Sequence, residues 1–307
     1  MIAPSRLHKG DAIGVVSPSG PIPEEIRPQL IKAVDFLKGM GFKVVLGENA
    51  LNVDGYSAGT PKEKAEDINS MFDDKKIRAI FCSTGGATAN SCIPLLDWKV
   101  IRRNPKIFIG MSDITVLLNA IYTETSIVTF HGNNVLKYGV NPIQYDIQEF
   151  VQRLIDAKIG KINKNSERKT VRKGVAEGRL MGGSLGCILK LAGTRNCPDF
   201  KDPILFVEAY EITPQECDCA FNHLKQMEVF EKIEGAVVGH VHSLQASEKK
   251  LKLMENILLK VTKEYDFPIL KMNDFGHECP NTVLPIGVKA RLDADNKELE
   301  ILEKCVK

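Results

Sequence analysis

The fold is decided by one stretch of the sequence, KIFIGMSDITVLLNAIY at residues 106–122. Residues 106–109 are predicted to form a buried strand, since residues 107–109 are all apolar, and the residues from Ile114 to Tyr122 are suited to a helix. Only Gly110-Met111-Ser112-Asp113 separates the two, which predicts a tight strand-to-helix turn. The stretch therefore predicts one strand–turn–helix unit with a serine at the turn.

The same alternation of strand and helix continues on both sides of this unit. Strands are expected at residues 12–17, 44–46, 79–82 and 127–130, with helices at 24–39 and 60–72. Thr60 and Glu63 form the pattern of a capping box at the start of the second helix. Short connections between alternating strands and helices predict an α/β fold with a parallel sheet covered on both faces. Ligands bind beyond the carboxyl ends of such strands, where the loops 17–21, 83–91 and 110–113 lie.

The second half of the chain begins after a polar and mostly basic segment. We predict an N-terminal domain over residues 1–160, a basic linker over 161–174 and a C-terminal domain over 175–307. A patch that binds polyanions is the alternative interpretation of the linker. In the C-terminal domain, strands are expected at 204–208, 236–240 and 268–270, and a helix at 217–230. A closing hairpin is expected from 290–293 and 298–302.

Composition limits the classes of function. The chain has 307 residues, of which 43% are hydrophobic, so it has enough apolar material for folded cores. Its net charge of +2 argues against a nucleic acid polymer or an anionic membrane and favours a small-molecule or short-peptide partner. No apolar run approaches the ~18 residues of a membrane span, and the N-terminus lacks the pattern of a signal peptide. We therefore expect a cytoplasmic protein.

Cysteine spacing gives little support for a metal site. The eight cysteines include no C-x-x-C pair, and Cys217 and Cys219 have no second pair at zinc-binding spacing. In a cytoplasmic chain we expect reduced cysteines that act mainly as small packing residues. We predict that the protein uses no metal and no cofactor.

Ser112 is the strongest candidate for a nucleophile. A serine at a tight strand-to-helix turn is exposed, and the adjacent helix N-terminus favours developing negative charge. The alternative is that Ser112 only caps the following helix. The sequence around it is Gly-x-Ser-Asp, so it lacks the second glycine of the α/β-hydrolase motif.

A nucleophilic serine needs a base and a group that orients the base. Among six histidines, His277 and His131 lie in segments that could present a side chain to a pocket, and local sequence favours His277 only slightly. His240 and His242 could form half of a metal site, although packing is the simpler interpretation. Glu208 ends an apolar strand, where a carboxylate is expected to orient a histidine, form a salt bridge or cap a helix.

Eight stretches along nearly the whole chain resemble the LD-carboxypeptidase family of serine peptidases, which includes the microcin C self-immunity peptidases. The order and spacing of the stretches agree with the family. The matching residues lie at 10–20, 57–60, 85–97, 109–115, 129–132, 178–185, 204–208 and 275–287.

The resemblance implies a triad of Ser112 as nucleophile, His277 as general base and then acid, and Glu208 as orienting carboxylate. It also implies an oxyanion hole formed by the backbone N–H of Asp113 and by the Gly85-Gly86 turn. The implied fold has an N-terminal parallel-sheet domain like that of class I glutamine amidotransferases and a C-terminal swivelling β/α domain. The family commonly forms homodimers.

Two departures from the family concern the substrate. Many members have an arginine where this chain has Thr84, and the arginine fork is suited to a substrate carboxylate. Gly183-Ser184 stands where Gly-Asn is more usual. The first hypothesis is an LD-carboxypeptidase that releases a terminal D-amino acid from muropeptides. The second is an immunity-type peptidase that cleaves peptidyl or aminoacyl nucleotide conjugates. A non-catalytic binding protein and a plain α/β-hydrolase are the remaining alternatives.

Overall fold

The structure, a computed structural model, describes residues 1–140, 142–245 and 253–307. The strands are β1 Ala12–Val16, β2 Lys43–Leu46, β3 Ile77–Cys82, β4 Ile107–Gly110, β5 Thr129–His131, β6 Gly160–Lys161, β7 Arg168–Arg172, β8 Val175–Ser184, β9 Pro203–Ala209, β10 Gly235–Val241, β11 Ile269–Gly276, β12 Leu284–Ile286, β13 Lys289–Asp293 and β14 Glu298–Ile301. The α-helices are α1 Arg27–Gly39, α2 Pro61–Asp73, α3 Trp98–Arg103, α4 Thr115–Thr125, α5 Val135–Val140, α6 Gln144–Phe150, α7 Leu185–Leu189, α8 Pro214–Gln226, α9 His242–Gln245 and α10 Met254–Val261. None of the helices in these ranges is long and apolar enough to cross a membrane.

The first sheet has six strands in the order β12-β5-β4-β3-β1-β2. Strands β1 to β5 pair in parallel, as the alternation of strands and helices predicts. Strands β1 and β4 are buried at every residue, because helices cover parallel strands on both faces. This confirms the predicted α/β fold and puts the turn after β4 at the carboxyl edge of the sheet.

The second sheet has eight strands in the order β6-β14-β13-β8-β9-β10-β11-β7. Strands β8 to β11 pair in parallel, and antiparallel strands flank them on both sides. Alternate residues of β9 enter different cores. Phe206 belongs to the core that is shared with the first sheet, whereas Val207 packs in the core that contains residues of α8 and α10. The second sheet therefore lies between the first half of the molecule and its own helices.

One strand from the second half of the chain joins the first sheet. Strand β12 comes from the second half of the sequence but pairs with β5 in the first sheet, while β13 returns to the second sheet. The predicted linker 161–174 also contributes β7, which pairs with β11 at the edge of the second sheet. Composition alone missed this strand because basic segments are usually solvated. The domain limits at residues 160 and 175 stay a prediction.

Capping explains where two of the helices begin. Helix α2 has the predicted capping box, in which Thr60 Oγ1 accepts from Glu63 N at 3.2 Å and Glu63 Oε2 accepts from Thr60 N at 2.7 Å. The helix predicted at 217–230 begins earlier and runs from Pro214 to Gln226. A second capping box between Thr213 and Glu216 sets its start.

A buried ion pair holds the edge of the second sheet. Nε of Arg168 in β7 lies 2.7 Å from Oδ2 of Asp274 in β11, and both side chains are buried. Oδ1 of Asp274 also accepts hydrogen bonds from the backbone N–H groups of Asn165 and Ser166. The segment before β7 is thus tied to the strand that leads to His277.

We expect Arg168→Met to lower the free energy of unfolding by about 3–5 kcal/mol, because it leaves the Asp274 carboxylate buried without its counter-ion. Lys62→Met is the control, since Lys62 pairs with Glu66 in an exposed position and its loss should change stability by less than about 0.5 kcal/mol. Urea unfolding followed by circular dichroism measures both variants. Equal stability of the two variants would contradict a structural role for the buried pair.

Candidate active site

Ser112 begins a single 3₁₀ turn, Ser112–Ile114, between β4 and α4. Its φ of 63° lies in the left-handed region, which residues with a side chain rarely adopt. Gly85 leaves room for the Ser112 side chain, because a Cβ at Gly85 would lie 2.7 Å from Oγ of Ser112. The cap of α4 is Ile114 and no side chain caps this helix, so the alternative that Ser112 is a helix cap is wrong.

Glu208 and His277 form a close pair at the carboxyl edge of the second sheet. Oε2 of Glu208 lies 2.5 Å from Nδ1 of His277. The Glu208 side chain is fully buried, while the His277 side chain is 16% exposed. The carboxylate can therefore orient the imidazole ring through Nδ1 and leave Nε2 available to another partner.

The strands that carry this pair, β9 and β11, lie on either side of β10. A glycine in β10 gives them room, since a Cβ at Gly239 would lie 2.5 Å from the ring of Phe275. The pairing register of β10 also shifts beyond Val238, close to where the pair meets. Tertiary packing thus brings together two residues that are 69 positions apart in sequence.

An open cleft of about 540 Å³ contains both Ser112 and His277 in its wall. Within the described residues, no hydrogen bond joins Oγ of Ser112 or Nε2 of His277 to another protein atom. Hydrogen bonds between a nucleophile and its base are often loose in the absence of substrate. The other lining residues are Gly20, Pro21, Thr84, Gly85, Gly86, Met111, Asn133, Asn134, Leu136, Lys137, Val140, Tyr210, Gly276, Glu278 and Asn281.

The Gly85-Gly86 turn follows β3 and forms one wall of the cleft near Ser112. The carbonyl of Gly85 accepts from Gly20 N at 2.9 Å, which fixes the turn against the loop after β1. A Cβ at Gly86 would lie 2.5 Å from Gly20 N, so only glycine fits this close approach. A Cβ at Gly85 would be 3.7 Å from the backbone N of Asp113, which shows how near the turn is to that N–H group.

The side chain of Asp113 points away from the cleft into a buried network. Its Oδ2 accepts from Ser19 Oγ at 2.6 Å and from Ala89 N at 2.7 Å, and its Oδ1 accepts from Lys190 Nζ at 2.5 Å. Burial by itself would raise the pKa of Asp113, but the hydrogen bonds from Lys190, Ser19 and Ala89 hold that pKa below its ordinary value. Asp113 is therefore a charged anchor beneath the serine.

His131 is fully buried, and neither ring nitrogen has a hydrogen-bond partner within the described part of the chain. Its ring packs edge-on against Phe206 and Phe275, with centroids 5.4 and 6.1 Å away. Burial lowers the pKa of His131 to about 4. Of the two histidines that the sequence left open, only His277 reaches both the cleft and a carboxylate.

His277 and His242 both contact Tyr210, an aromatic residue that the sequence did not single out. Tyr210 lies with its ring centroid 5.2 Å from that of His277 and 5.2 Å from that of His242. Its position two residues after Glu208 was the signal that could have predicted it. His240 is half-buried and burial lowers its pKa. In the described ranges no three histidine, cysteine or acidic side chains are grouped as metal ligands.

The sequence also missed two side chains that contact the residues on either side of Ser112. Oδ1 of Asn134 accepts from Met111 N at 3.0 Å, directly before the serine. Lys190 reaches Asp113 from the second half of the chain. Neither contact leaves a local pattern, because each joins segments that are distant in sequence.

Comparison with known proteins shows the family to which the chain belongs. Residues 13–132 match the LD-carboxypeptidase N-terminal domain, and residues 177–292 match the LD-carboxypeptidase C-terminal domain. The microcin C7 self-immunity protein MccF of Escherichia coli is 32% identical, over 97% of this chain and 95% of its own length. The probable murein peptide carboxypeptidase of Bacillus subtilis is 31% identical, over 96% of this chain and 92% of its own.

The solved structure of MccF in complex with aspartyl sulfamoyl adenosine superimposes with a TM-score of 0.92 and 29% identity over the whole of both chains. Two family domains in the right order and relatives that align end to end exclude a plain α/β-hydrolase. They also place the protein among enzymes rather than non-catalytic binding proteins. The chain belongs to the LD-carboxypeptidase family and is an enzyme of the serine carboxypeptidase class.

Proposed function

We propose that the protein hydrolyses an amide bond in a small peptide conjugate with Ser112, His277 and Glu208 as its catalytic triad. The observation that carries this assignment is the 2.5 Å contact between buried Glu208 and His277 in the cleft that Ser112 lines. A fully buried carboxylate aligned with one imidazole nitrogen is suited to orient the ring and to stabilise its protonated form.

In the first step, Nε2 of His277 takes the proton of Ser112 Oγ as that oxygen attacks the amide carbonyl. Nδ1–H donates to Oε2 of Glu208 and keeps the ring in the tautomer that leaves Nε2 as the acceptor. The carbonyl π electrons move to the oxygen, so a tetrahedral oxyanion forms. We assign its stabilisation to the backbone N–H of Asp113 and to the Gly85-Gly86 turn.

The second step breaks the amide bond. His277 gives its proton to the leaving nitrogen, the amine departs and an acyl-Ser112 ester remains. Water then attacks the ester with His277 as the base, and Ser112 recovers its proton as the acid product leaves. His277 accepts and returns the proton in both steps.

For the substrate, we propose a muropeptide from which the enzyme releases a terminal D-amino acid. The whole-length relationship to a probable murein peptide carboxypeptidase supports this choice. The open cleft is suited to a small peptide conjugate rather than to a folded protein. We expect the reaction to take place in the cytoplasm and the enzyme to act as a homodimer, without a cofactor.

The second candidate substrate is a peptidyl or aminoacyl nucleotide conjugate. A specific observation favours it, since the full-length structural similarity extends to a MccF structure that holds aspartyl sulfamoyl adenosine. The chemistry would be the same, and only the leaving group would differ. Assays with the two substrates therefore distinguish the candidates, whereas substitutions in the triad do not.

Ser112→Ala is expected to reduce kcat at least about 1,000-fold with the fold intact, because it removes the attacking oxygen. Ser70→Ala is the matched control, since Ser70 lies in α2 and donates only to the Asp67 carbonyl. Steady-state hydrolysis and circular dichroism measure the two variants. Activity of Ser112→Ala close to that of the wild type would refute the mechanism.

Glu208→Gln is expected to lower kcat by about 10³- to 10⁴-fold with little change in KM, since the amide cannot stabilise the protonated ring. Its size is nearly that of the native side chain, so the buried site stays filled. Initial rates over a range of substrate concentrations separate the two constants. If only KM rose, Glu208 would be a binding residue and not part of the triad.

The substrate class is tested by mass spectrometry of products. The purified enzyme, with Ser112→Ala as its control, is offered a disaccharide tetrapeptide ending in D-alanine and, separately, an aminoacyl sulfamoyl adenylate. We expect release of D-alanine by the wild type only. Cleavage of the adenylate alone would favour the second candidate, and cleavage of neither would refute both.

A further inference from the structure

One cation of the cleft, Lys137, has no protein partner among the described residues. Lys137 in α5 is half-buried and lines the same cleft as Ser112 and His277. In the described structure its Nζ neither donates a hydrogen bond to any protein oxygen nor lies within ion-pair distance of a carboxylate. The other ionisable side chains that line the described part of the cleft are Tyr210, His277 and Glu278.

Among the lysines that the structure describes, Lys137 is exceptional in this respect. Within the described ranges, every other lysine that is not exposed donates to at least one oxygen. These lysines are Lys64, Lys106, Lys190, Lys225 and Lys271. A partly buried ammonium group loses hydration, so it normally needs such a partner. The missing partner of Lys137 is best supplied by an anion that enters the cleft.

The position of Lys137 is tied to the nucleophile turn. Asn134 accepts from Met111 N at 3.0 Å through its side chain, and its backbone carbonyl accepts from Lys137 N at 3.1 Å. The residue before Lys137, Leu136, donates its backbone N–H to Ser83 O at 3.1 Å, which fixes α5 to the end of β3. Asn134 therefore connects the backbone of Lys137 to the turn that carries Ser112.

Other residues hold the buried acid of α6, Asp146. Its carboxylate accepts from Asn133 Nδ2 at 2.6 Å and from Asn281 N at 2.9 Å. Within the described residues it forms no ion pair with Lys137, so the ammonium group stays available to an anion in the cleft.

We infer, on the basis of the proposed function, that Lys137 binds the free carboxylate of the substrate and so determines the preference for a terminal acid. A carboxypeptidase must recognise a carboxylate one residue beyond the bond that it cleaves. Lys137 is the cation of the described cleft wall that the triad does not use. The ligand class is therefore a peptide with an unmodified C-terminal carboxylate, bound as an ion pair with the ammonium group.

The test compares a muropeptide that ends in D-alanine with the same peptide as its C-terminal carboxamide. Wild type is expected to have a kcat/KM that is about 10- to 100-fold higher for the acid, the range of one charge-assisted hydrogen bond. Lys137→Met should bring this ratio close to one, and Lys137→Arg should retain most of it. Lys32→Met, which removes the same charge from an exposed position in α1, is the control and should keep the wild-type ratio.

Binding measured without turnover distinguishes this inference from the proposed function. Calorimetry with Ser112→Ala should show the acid binding at least about tenfold more tightly than the carboxamide, and Ser112→Ala/Lys137→Met should lose that difference. Equal binding of both peptides to Ser112→Ala, or binding of neither, would overturn the role of Lys137. Preferential binding of the acid without hydrolysis by the wild type would support Lys137 and refute the proposed reaction.

Discussion

The buried carboxylate of Asp113 is the contact on which the turn that carries Ser112 depends. It follows Ser112 directly and accepts hydrogen bonds from Ser19 in the loop after β1, from Ala89 after β3 and from Lys190 at the end of α7. Loss of this carboxylate would leave several buried donors without an acceptor, which is far more unfavourable than the loss of an exposed contact. The strained backbone of Ser112 persists because the next side chain is fixed from three directions.

A comparable constraint acts on the segment that carries His277. The backbone N–H of Asn281 donates to Asp146 at 2.9 Å, and the Oγ1 of Thr282 donates to Glu149, so α6 of the first half holds this segment. Strand β12 follows and joins the first sheet beside β5. The candidate base is thus anchored to the half of the molecule that presents Ser112, and the cleft lies where the two anchored segments meet.

Local patterns predicted the elements whose stability is local. The capping box at Thr60 and the β4–turn–α4 unit could be read directly because their signals lie within a few residues. The earlier start of α8 at Pro214 also has a local signal, the capping box of Thr213 and Glu216. The apolar spacing that predicts this helix begins later in the sequence. The strand at 168–172 could not be predicted, because its basic composition hides a buried arginine whose partner is over 100 residues away.

The sequence by itself determined the fold class, the family and the residue types available for catalysis, since hydrophobic periodicity and turn residues act over short distances. It also drew attention to Ser112, Glu208 and His277, although the residues alone left His131 open. Only the tertiary structure distinguishes the surroundings of those two histidines, because it buries His131 against Phe206 and places His277 beside Glu208. It alone revealed that Lys137 has no partner in the described structure, because burial and ion pairing depend on segments that meet only when the sheets pack.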